Sequence, residues 1–217
     1  MARSAPANAS VESTGDSASS SAGAETGSTA QRERRRRILD ATLALASKGG
    51  YDAVQMRTVA DKADVAVGTL YRYFPSKVHL LVTALAREFE RVESRVDRSQ
   101  LRGENGVERL RHVLDMITYA MQRDPLLTEA MTRAFMFADA SATAEVDQVA
   151  GIIDRLLAGA IVGNTGEPSE EDLAIARVIS DVWMSNLVQW LTRRASATDV
   201  TNRLELTVRL LLKDRLS

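Results

Sequence analysis

The sequence predicts an all-α protein of about nine helices: an N-terminal three-helix unit with a helix-turn-helix, then a larger helical domain. Apolar residues recur three and four positions apart along most of the chain, and no segment alternates Val, Ile and Thr with polar residues. Only four Pro residues interrupt the 217 positions, and 45% of the residues are hydrophobic, a normal share for a globular protein.

The N-terminal helices are short and closely spaced. Apolar residues from Ile38 onward repeat at helical spacing and predict a first helix over 32–48. Gly49-Gly50 is a typical helix end. The next two predicted helices cover 56–63 and 67–74.

The middle of the chain predicts longer helices. One opens at Pro75, whose fixed φ suits a first helical turn, and extends to about residue 97. A loop at 102–106 separates it from a helix over 107–123. Asp124-Pro125 breaks that helix and opens the next one.

Three more helices are predicted in the last third. A Gly-rich and Pro-containing loop occupies 163–168. Ser169 is a candidate helix cap, because the acidic residue Asp172 follows three positions later. The predicted helices cover 142–162, 169–194 and 199–215.

Composition and charge divide the chain into three parts. Residues 1–30 are mostly Ser, Ala, Gly and Thr, which predicts a disordered tail. Residues 31–77 carry ten Lys or Arg against five Asp or Glu, although the net charge of the whole chain is −1. A basic segment joined to an acidic remainder is typical of a nucleic-acid-binding module, and an ordinary solvated helix face is the alternative. Charge alone does not decide between them.

Several function classes lack support in the sequence. There is no Cys, so disulfides and thiolate metal sites are excluded and a reducing cytoplasm is the expected setting. No apolar run approaches the roughly 18–20 residues of a membrane helix. The N-terminal residues lack the continuous apolar core of a signal peptide, so we expect no export. The two histidines, His79 and His112, belong to no catalytic signature. We therefore expect no enzyme, no metal site, no cofactor and no membrane partner.

Residues 56–75 have the features of a helix-turn-helix. Ala60 and Ala63 are small enough for a second helix to approach closely, and Asp64 lies in a turn that often requires a left-handed residue. Leu70 and Phe74, four positions apart, are predicted to face the core. The outward side chains suit a major groove, where Arg pairs with guanine, Thr and Val contact a thymine methyl, and Tyr binds phosphate. These outward positions are Val67, Gly68, Thr69, Tyr71, Arg72 and Tyr73.

Basic and hydroxyl side chains on either side extend the predicted DNA surface. Arg57, Thr58 and Lys77 are placed for phosphate contacts. Four consecutive arginines precede the motif, and we expect them to contact phosphate or enter a minor groove. A solvated helix start is the alternative interpretation of this run, which consists of Arg34, Arg35, Arg36 and Arg37.

The segment Val67–Lys77 resembles the signature of TetR-family transcriptional regulators. Ile38, Gly50-Tyr51 and residues 57–60 also match, so the resemblance covers about residues 32–95. It implies a two-domain helical homodimer. A DNA-binding helix-turn-helix domain over 31–77, with its motif at 56–75, would bind double-stranded DNA, and a ligand-binding and dimerisation domain over 78–217 would hold a small ligand. Ligand binding is then expected to release the DNA.

Three residues depart from the family pattern. Gln55 stands where a Ser or Thr usually caps the first short helix, Asp64 replaces a common Gly, and Ala66 replaces a common capping Ser. A lost cap costs on the order of 1 kcal/mol, so the motif is weakened but retained. Together with the long tail, these departures make the sequence resemble an actinobacterial subgroup of the family, whose members repress steroid and cholesterol breakdown. That resemblance implies a small apolar effector, such as a steroid-derived acyl group carried as a coenzyme A thioester.

The C-terminal half concentrates Met and aromatic residues, which form either an ordinary core or a ligand cavity. Asn186 lies between two Trp residues in sequence and is a candidate polar anchor, with a hydrogen-bonded core Asn as the alternative. The predicted cavity residues are Met116, Tyr119, Met131, Phe135, Trp183, Asn186, Leu187 and Trp190.

The last two helices are apolar on more than one face, which requires burial on several sides. A homodimer with a four-helix interface meets that requirement and predicts a near-palindromic operator. The alternatives are activation instead of repression, a TetR-type regulator of another pathway such as fatty-acid metabolism or efflux, and a helical scaffold without a regulatory role.

Overall fold

A computed structural model describes residues 18–213, and within them nine α-helices and no strand are present. The predicted all-α class is therefore confirmed. Short 3₁₀ turns at 98–100 and 140–142 join the longer elements. The helices are α1 (Ala18–Ala53), α2 (Met56–Ala63), α3 (Val67–Tyr73), α4 (Lys77–Arg95), α5 (Gly106–Arg123), α6 (Pro125–Met136), α7 (Thr143–Val162), α8 (Glu170–Leu191) and α9 (Ala197–Leu211).

Helix α1 begins earlier than the sequence predicts. It includes residues 18–30, which we expected to belong to a disordered tail; residues 1–17 lie outside the described part of the chain. Ile38 and Leu39 are fully buried and anchor the helix, and each residue added to an anchored helix gains one hydrogen bond without a new nucleation cost. The predicted break is present, because Gly49 and Gly50 have non-helical backbone angles.

Helices α2 and α3 form the predicted helix-turn-helix. Asp64 has left-handed angles (φ 53°, ψ 56°), and the Val65 amide donates to the Ala60 carbonyl at 3.0 Å. Leu70 is 0% exposed and Phe74 is 2% exposed, so the second short helix is fixed by its predicted inner face. Burial of a side chain of this size contributes about 1.5–3 kcal/mol.

Helix α4 starts two residues later than predicted. Ser76, not Pro75, marks the boundary, because the Ser76 hydroxyl accepts a hydrogen bond from the His79 amide at 3.4 Å. His79 itself is buried, and its Nε2 lies 3.0 Å from the Ser141 carbonyl. The helix packs against α1, α6 and α7, and so it joins the helix-turn-helix to the rest of the bundle through one continuous core.

The last two helices have well-formed starts. The predicted cap at Ser169 is confirmed as a capping box with Asp172. A second capping box, between Ser196 and Asp199, starts α9 two residues earlier than the sequence predicted. Helix α9 ends at Leu211, and positions 214–215 of the predicted helix lie outside the described residues.

Candidate nucleic-acid interface and ligand cavity

The outward face of α3 carries side chains that have no packing role. Tyr71 is 49% exposed, Arg72 is exposed, and Arg72 forms no ion pair with the described part of the protein. Gly68 is also exposed, and a Cβ added there would have no heavy atom within 4 Å. Because Leu70 is buried on the opposite side of the helix, this face points away from the core and is free for a partner.

The remaining predicted groove residues lie at the edges of that face. Val67, Thr69 and Tyr73 are half-buried, and the Tyr73 ring centroid lies 6.3 Å from that of Phe74. The missing caps expected at Gln55 and Ala66 are confirmed, since neither side chain bonds to the helix start that it precedes. Packing of the inner face, not capping, therefore holds the motif together.

The residues predicted to contact phosphate differ in their solvent exposure and in their contacts within the protein. Arg57 and Thr58, in the first turn of α2, are exposed. Lys77 is half-buried, and its ammonium donates to the Tyr51 carbonyl at 3.0 Å. Burial lowers the pKa of Lys77, and so do the neighbouring positive charges of Arg133, whereas Asp52 and Glu129 raise it. Of the three, Lys77 is engaged inside the protein.

The four arginines lie within α1, not at its start. Four positive charges at a helix N-terminus would oppose the helix dipole, and their place inside α1 avoids that repulsion. Arg36 pairs with Glu33 at 2.6 Å, and this hydrogen bond lowers the pKa of Glu33. Arg37 lies 3.6 Å from Asp64, Arg35 stacks 5.7 Å from the Phe74 ring, and Arg34 is half-buried without an ion pair among the described residues.

A cavity of about 360 Å³ lies between α4, α5 and α6. Its volume is within the range of small-molecule sites, and its walls are mostly apolar. Met116 and Met131 line it, as the sequence predicted for two of the eight candidate residues. The lining residues are Leu85, Glu88, Phe89, Val92, Arg95, Val96, Met116, Ile117, Ala120, Met121, Asp124, Leu127, Thr128 and Met131.

The other candidates lie outside that lining. Trp183 is buried behind it: its ring lies edge-on to Phe89, with centroids 6.1 Å apart, and its Nε1 donates to the Thr118 hydroxyl at 3.3 Å. Asn186 is buried, donating to the Val182 carbonyl and accepting from Arg203, which is the alternative role the sequence left open. The remaining candidates away from the lining are Tyr119, Phe135, Leu187 and Trp190.

Sequence patterns missed the contribution of α4 to the cavity. Phe89 belongs to the core, and Val92 and Val96 continue its apolar stripe toward the end of that helix as partly buried residues. The same spacing predicts a core contact and a cavity wall equally well. The signal that was available is the extension of the stripe to the end of the helix.

A cluster around Tyr51 connects α1, α4 and α6; we call it the Tyr51 junction, and it consists of Tyr51, Lys77, Glu129 and Arg133. The Tyr51 ring lies between two cations, with Lys77 Nζ 3.8 Å and Arg133 Cζ 4.4 Å from its centroid. The Tyr51 amide donates to Glu129 at 3.2 Å. Gly50, with φ +66°, lies against α6, because a Cβ added there would come within 3.3 Å of Glu129 Oε2. The junction thus links the helix-turn-helix unit to the helix that lines the cavity.

The outer faces of α8 and α9 carry exposed apolar side chains. Val178 on α8 is 47% exposed, and Leu206 and Leu210 on α9 are 48% and 65% exposed. Leu206 and Leu210 lie four positions apart and therefore on one side of α9, away from its buried stripe. This surface has the composition of a helix–helix interface.

Residues 18–213 contain neither a membrane-spanning helix nor a metal-binding cluster. No helix there is long and apolar enough to cross a bilayer. No group of three or more His, Asp or Glu side chains there has the arrangement of a metal site.

Known proteins resemble the chain over most of its length. A family model for bacterial regulatory proteins of the tetR family matches residues 38–84, and a model for the tetracyclin repressor-like C-terminal domain matches residues 103–211. The HTH-type transcriptional repressor KstR of Rhodococcus jostii is 73% identical over 187 residues, which are 86% of this chain and 86% of that protein.

Solved structures share the fold. A TetR transcriptional regulator from a Rhodococcus species is 32% identical with a TM-score of 0.75, over 87% of this chain and 99% of that one. The Thermus thermophilus repressor FadR, solved in complex with lauroyl-CoA, is 23% identical with a TM-score of 0.65, over 84% and 95% of the two chains.

Proposed function

Because the chain belongs to the TetR family of bacterial regulatory proteins, we propose that it is a homodimeric repressor of steroid-breakdown genes that an apolar acyl ligand releases from DNA. It is a DNA-binding regulator and not an enzyme. The observation that carries the proposal is the outward face of α3, where Gly68 and Arg72 have no role in packing. A repressor acts on the bacterial chromosome, so its place is the cytoplasm.

The DNA-binding part of the proposal assigns sequence recognition to α3. Arg72 suits a paired hydrogen bond to guanine, and the open backbone at Gly68 permits close approach to the groove. Arg57 and Thr58 serve as phosphate contacts that position the motif. Arg34 and Arg35 supply a second basic contact, because Arg36 and Arg37 already have acidic partners.

The ligand part rests on the apolar cavity between α4, α5 and α6. The resemblance of the sequence to an actinobacterial subgroup that represses steroid breakdown supports a steroid-type effector. The lauroyl-CoA complex of the Thermus FadR repressor supports an acyl coenzyme A thioester. A site of about 360 Å³ holds the apolar body of such a ligand, and the much larger coenzyme A portion extends outside.

The release mechanism that we propose uses α6 as the moving element. Leu127, Thr128 and Met131 on α6 line the cavity, while Glu129 and Arg133 on the same helix hold Tyr51. A ligand that displaces α6 therefore changes the position of the end of α1 relative to the rest of the protein. In a dimer this alters the separation of the two α3 helices. The free energy of DNA binding then becomes less favourable by the coupling free energy between the ligand site and the DNA site.

The dimer interface that we propose consists of the outer faces of α8 and α9. Pairing two copies through Val178, Leu206 and Leu210 covers exposed apolar surface and generates a four-helix interface. The two-fold symmetry then requires two half-sites in the operator.

The experiment is a fluorescence anisotropy titration at fixed salt with a duplex that the protein selects from a random pool. Increasing amounts of 5β-cholanoyl-CoA or lauroyl-CoA are then added. We expect the steroid thioester to release the DNA at lower concentration, and the selected duplex to match sites upstream of steroid-breakdown genes in the source genome. Stronger release by lauroyl-CoA indicates a fatty-acid regulator instead, and failure to select any duplex contradicts the proposal.

A further inference from the structure

The polar residues around the cavity are not equivalent. Glu88 is neutralised within α4, since its carboxylate lies 2.7 Å from Arg91 Nη1 and 3.6 Å from Arg87 Nε. Asp124 caps α6 by accepting from the Leu127 amide at 3.0 Å. The Thr128 hydroxyl donates to the Met121 carbonyl at 2.7 Å. These three groups already have partners within the protein.

Arg95 is the exception. It lines the cavity and is exposed, and among the described residues it forms no hydrogen bond or ion pair. Arg87 and Arg91, which precede it at four-residue intervals on α4, both contact acidic groups. An arginine in the last turn of a helix gains from the helix dipole, but this gain does not require it to border an apolar cavity.

We propose that Arg95 is the specificity-determining residue that selects an effector with an anionic group attached to its apolar body. This inference rests on the proposed function, because it assumes that the cavity holds the effector. Glu88 is paired with arginines and Asp124 is engaged as a helix cap, so the Arg95 guanidinium is the one cation of the lining available to a ligand. It carries donors that fit a carboxylate or a phosphate.

Two ligands present this chemistry. A free carboxylic acid places its carboxylate at the edge of the apolar body, whereas a coenzyme A thioester has no charge on its acyl part and places its phosphates outside the cavity. Arg95 serves either ligand, because it is an exposed residue of the lining. A neutral ligand of the same shape leaves it unpaired.

The experiment compares matched probes on full-length protein by tryptophan fluorescence, which the chain permits because Trp183 contacts the cavity residue Phe89. One pair is 5β-cholanic acid and its methyl ester. The other pair is 5β-cholanoyl-CoA and the neutral N-acetylcysteamine thioester of the same acid. The variants are Arg95→Gln, Arg95→Lys and Arg123→Gln; Arg123 also lies in the last turn of a helix but does not line the cavity.

The unsubstituted protein is expected to prefer the anionic member of at least one pair by about tenfold, the scale of one charge-assisted hydrogen bond. Arg95→Gln removes this preference without changing the affinity for the neutral member, and Arg95→Lys and Arg123→Gln retain it. The pair that shows the preference identifies the anion. Unchanged thermal melting of Arg95→Gln shows that the variant is folded.

The outcomes separate this inference from the proposed function. If the neutral probes bind but the anionic preference is absent, or survives in Arg95→Gln, or is lost equally in Arg123→Gln, the role of Arg95 is wrong and the ligand class stands. If no probe binds the unsubstituted protein, the proposed ligand class fails and the inference fails with it.

Discussion

Replacing Gly68 by Ala separates the stability of α3 from its contact with DNA. Gly68 is exposed within α3, its Cβ would meet no heavy atom within 4 Å, and its φ is not in the left-handed region. Ala is more favourable than Gly inside a helix by about 0.8–1.0 kcal/mol. The variant is therefore expected to be more stable than the unsubstituted protein by about 0.5–1 kcal/mol, which corresponds to roughly 1–4 °C in Tm for a chain of this size.

The same methyl group is expected to weaken DNA binding. If the backbone at Gly68 lies against the groove, the added carbon overlaps the DNA, and misfits of this size in close contacts cost about 1–3 kcal/mol. Affinity should fall by about 5- to 150-fold. Thermal denaturation and anisotropy with the selected duplex measure the two effects on one sample.

Gly151→Ala is the matched control. Gly151 lies inside α7, where the nearest atom to an added Cβ is Arg155 Nη1 at 3.4 Å, the end of a flexible exposed side chain. Its stability should rise by a similar amount while DNA affinity stays unchanged. Undiminished DNA binding by Gly68→Ala would refute the close approach of α3, and a lower Tm would refute the open space around Gly68.

Three further substitutions test the fold, the coupling and the dimer. Leu70→Ala removes a side chain that is 0% exposed and should lower the free energy of unfolding by about 2–5 kcal/mol in urea denaturation, unlike the same change at the 38% exposed Leu211. Tyr51→Leu removes two cation–π contacts, each worth about 0.5–1 kcal/mol, and should reduce the effect of the effector on DNA affinity, whereas Tyr51→Phe should preserve it. Equal behaviour of those two variants would speak against the Tyr51 junction as the coupling element. Leu210→Glu places a charge on the proposed dimer face and should give a monomer in sedimentation equilibrium. Thr201→Glu, elsewhere on α9, should leave the dimer intact. A dimer that persists in Leu210→Glu would show that the interface lies on another surface.

The helix-turn-helix was predictable because its determinants are local. The burial of Ala60, Ala63 and Leu70 follows from helical spacing, and the left-handed turn at Asp64 follows from the residue types that tolerate it. The capping box at Ser169 was predictable for the same reason. Each of these features is decided within a few residues of sequence.

The cavity and the Tyr51 junction depend on contacts between distant residues. The hydrogen bond from the Tyr51 amide to Glu129 joins residues 78 positions apart, and the sequence around neither residue predicts it. Trp183 had the character of a lining residue, but the packing of α8 places it behind Phe89. The start of α1 at Ala18 also has no local signal, because residues 18–30 are rich in Ser, Thr and Gly, which favour a helix only weakly, and the buried residues that anchor α1 lie further along the chain.

A hydroxyl-radical footprint of the full-length protein on its selected duplex tests the central claim most directly. If α3 of each subunit enters a major groove, the protein protects two symmetric half-sites about one helical turn apart, or a multiple of it. Arg72→Ala should weaken the protection in both half-sites together, because each subunit of the dimer presents the same side chain. Uniform protection without symmetry, or a footprint that Arg72→Ala leaves unchanged, would contradict the account.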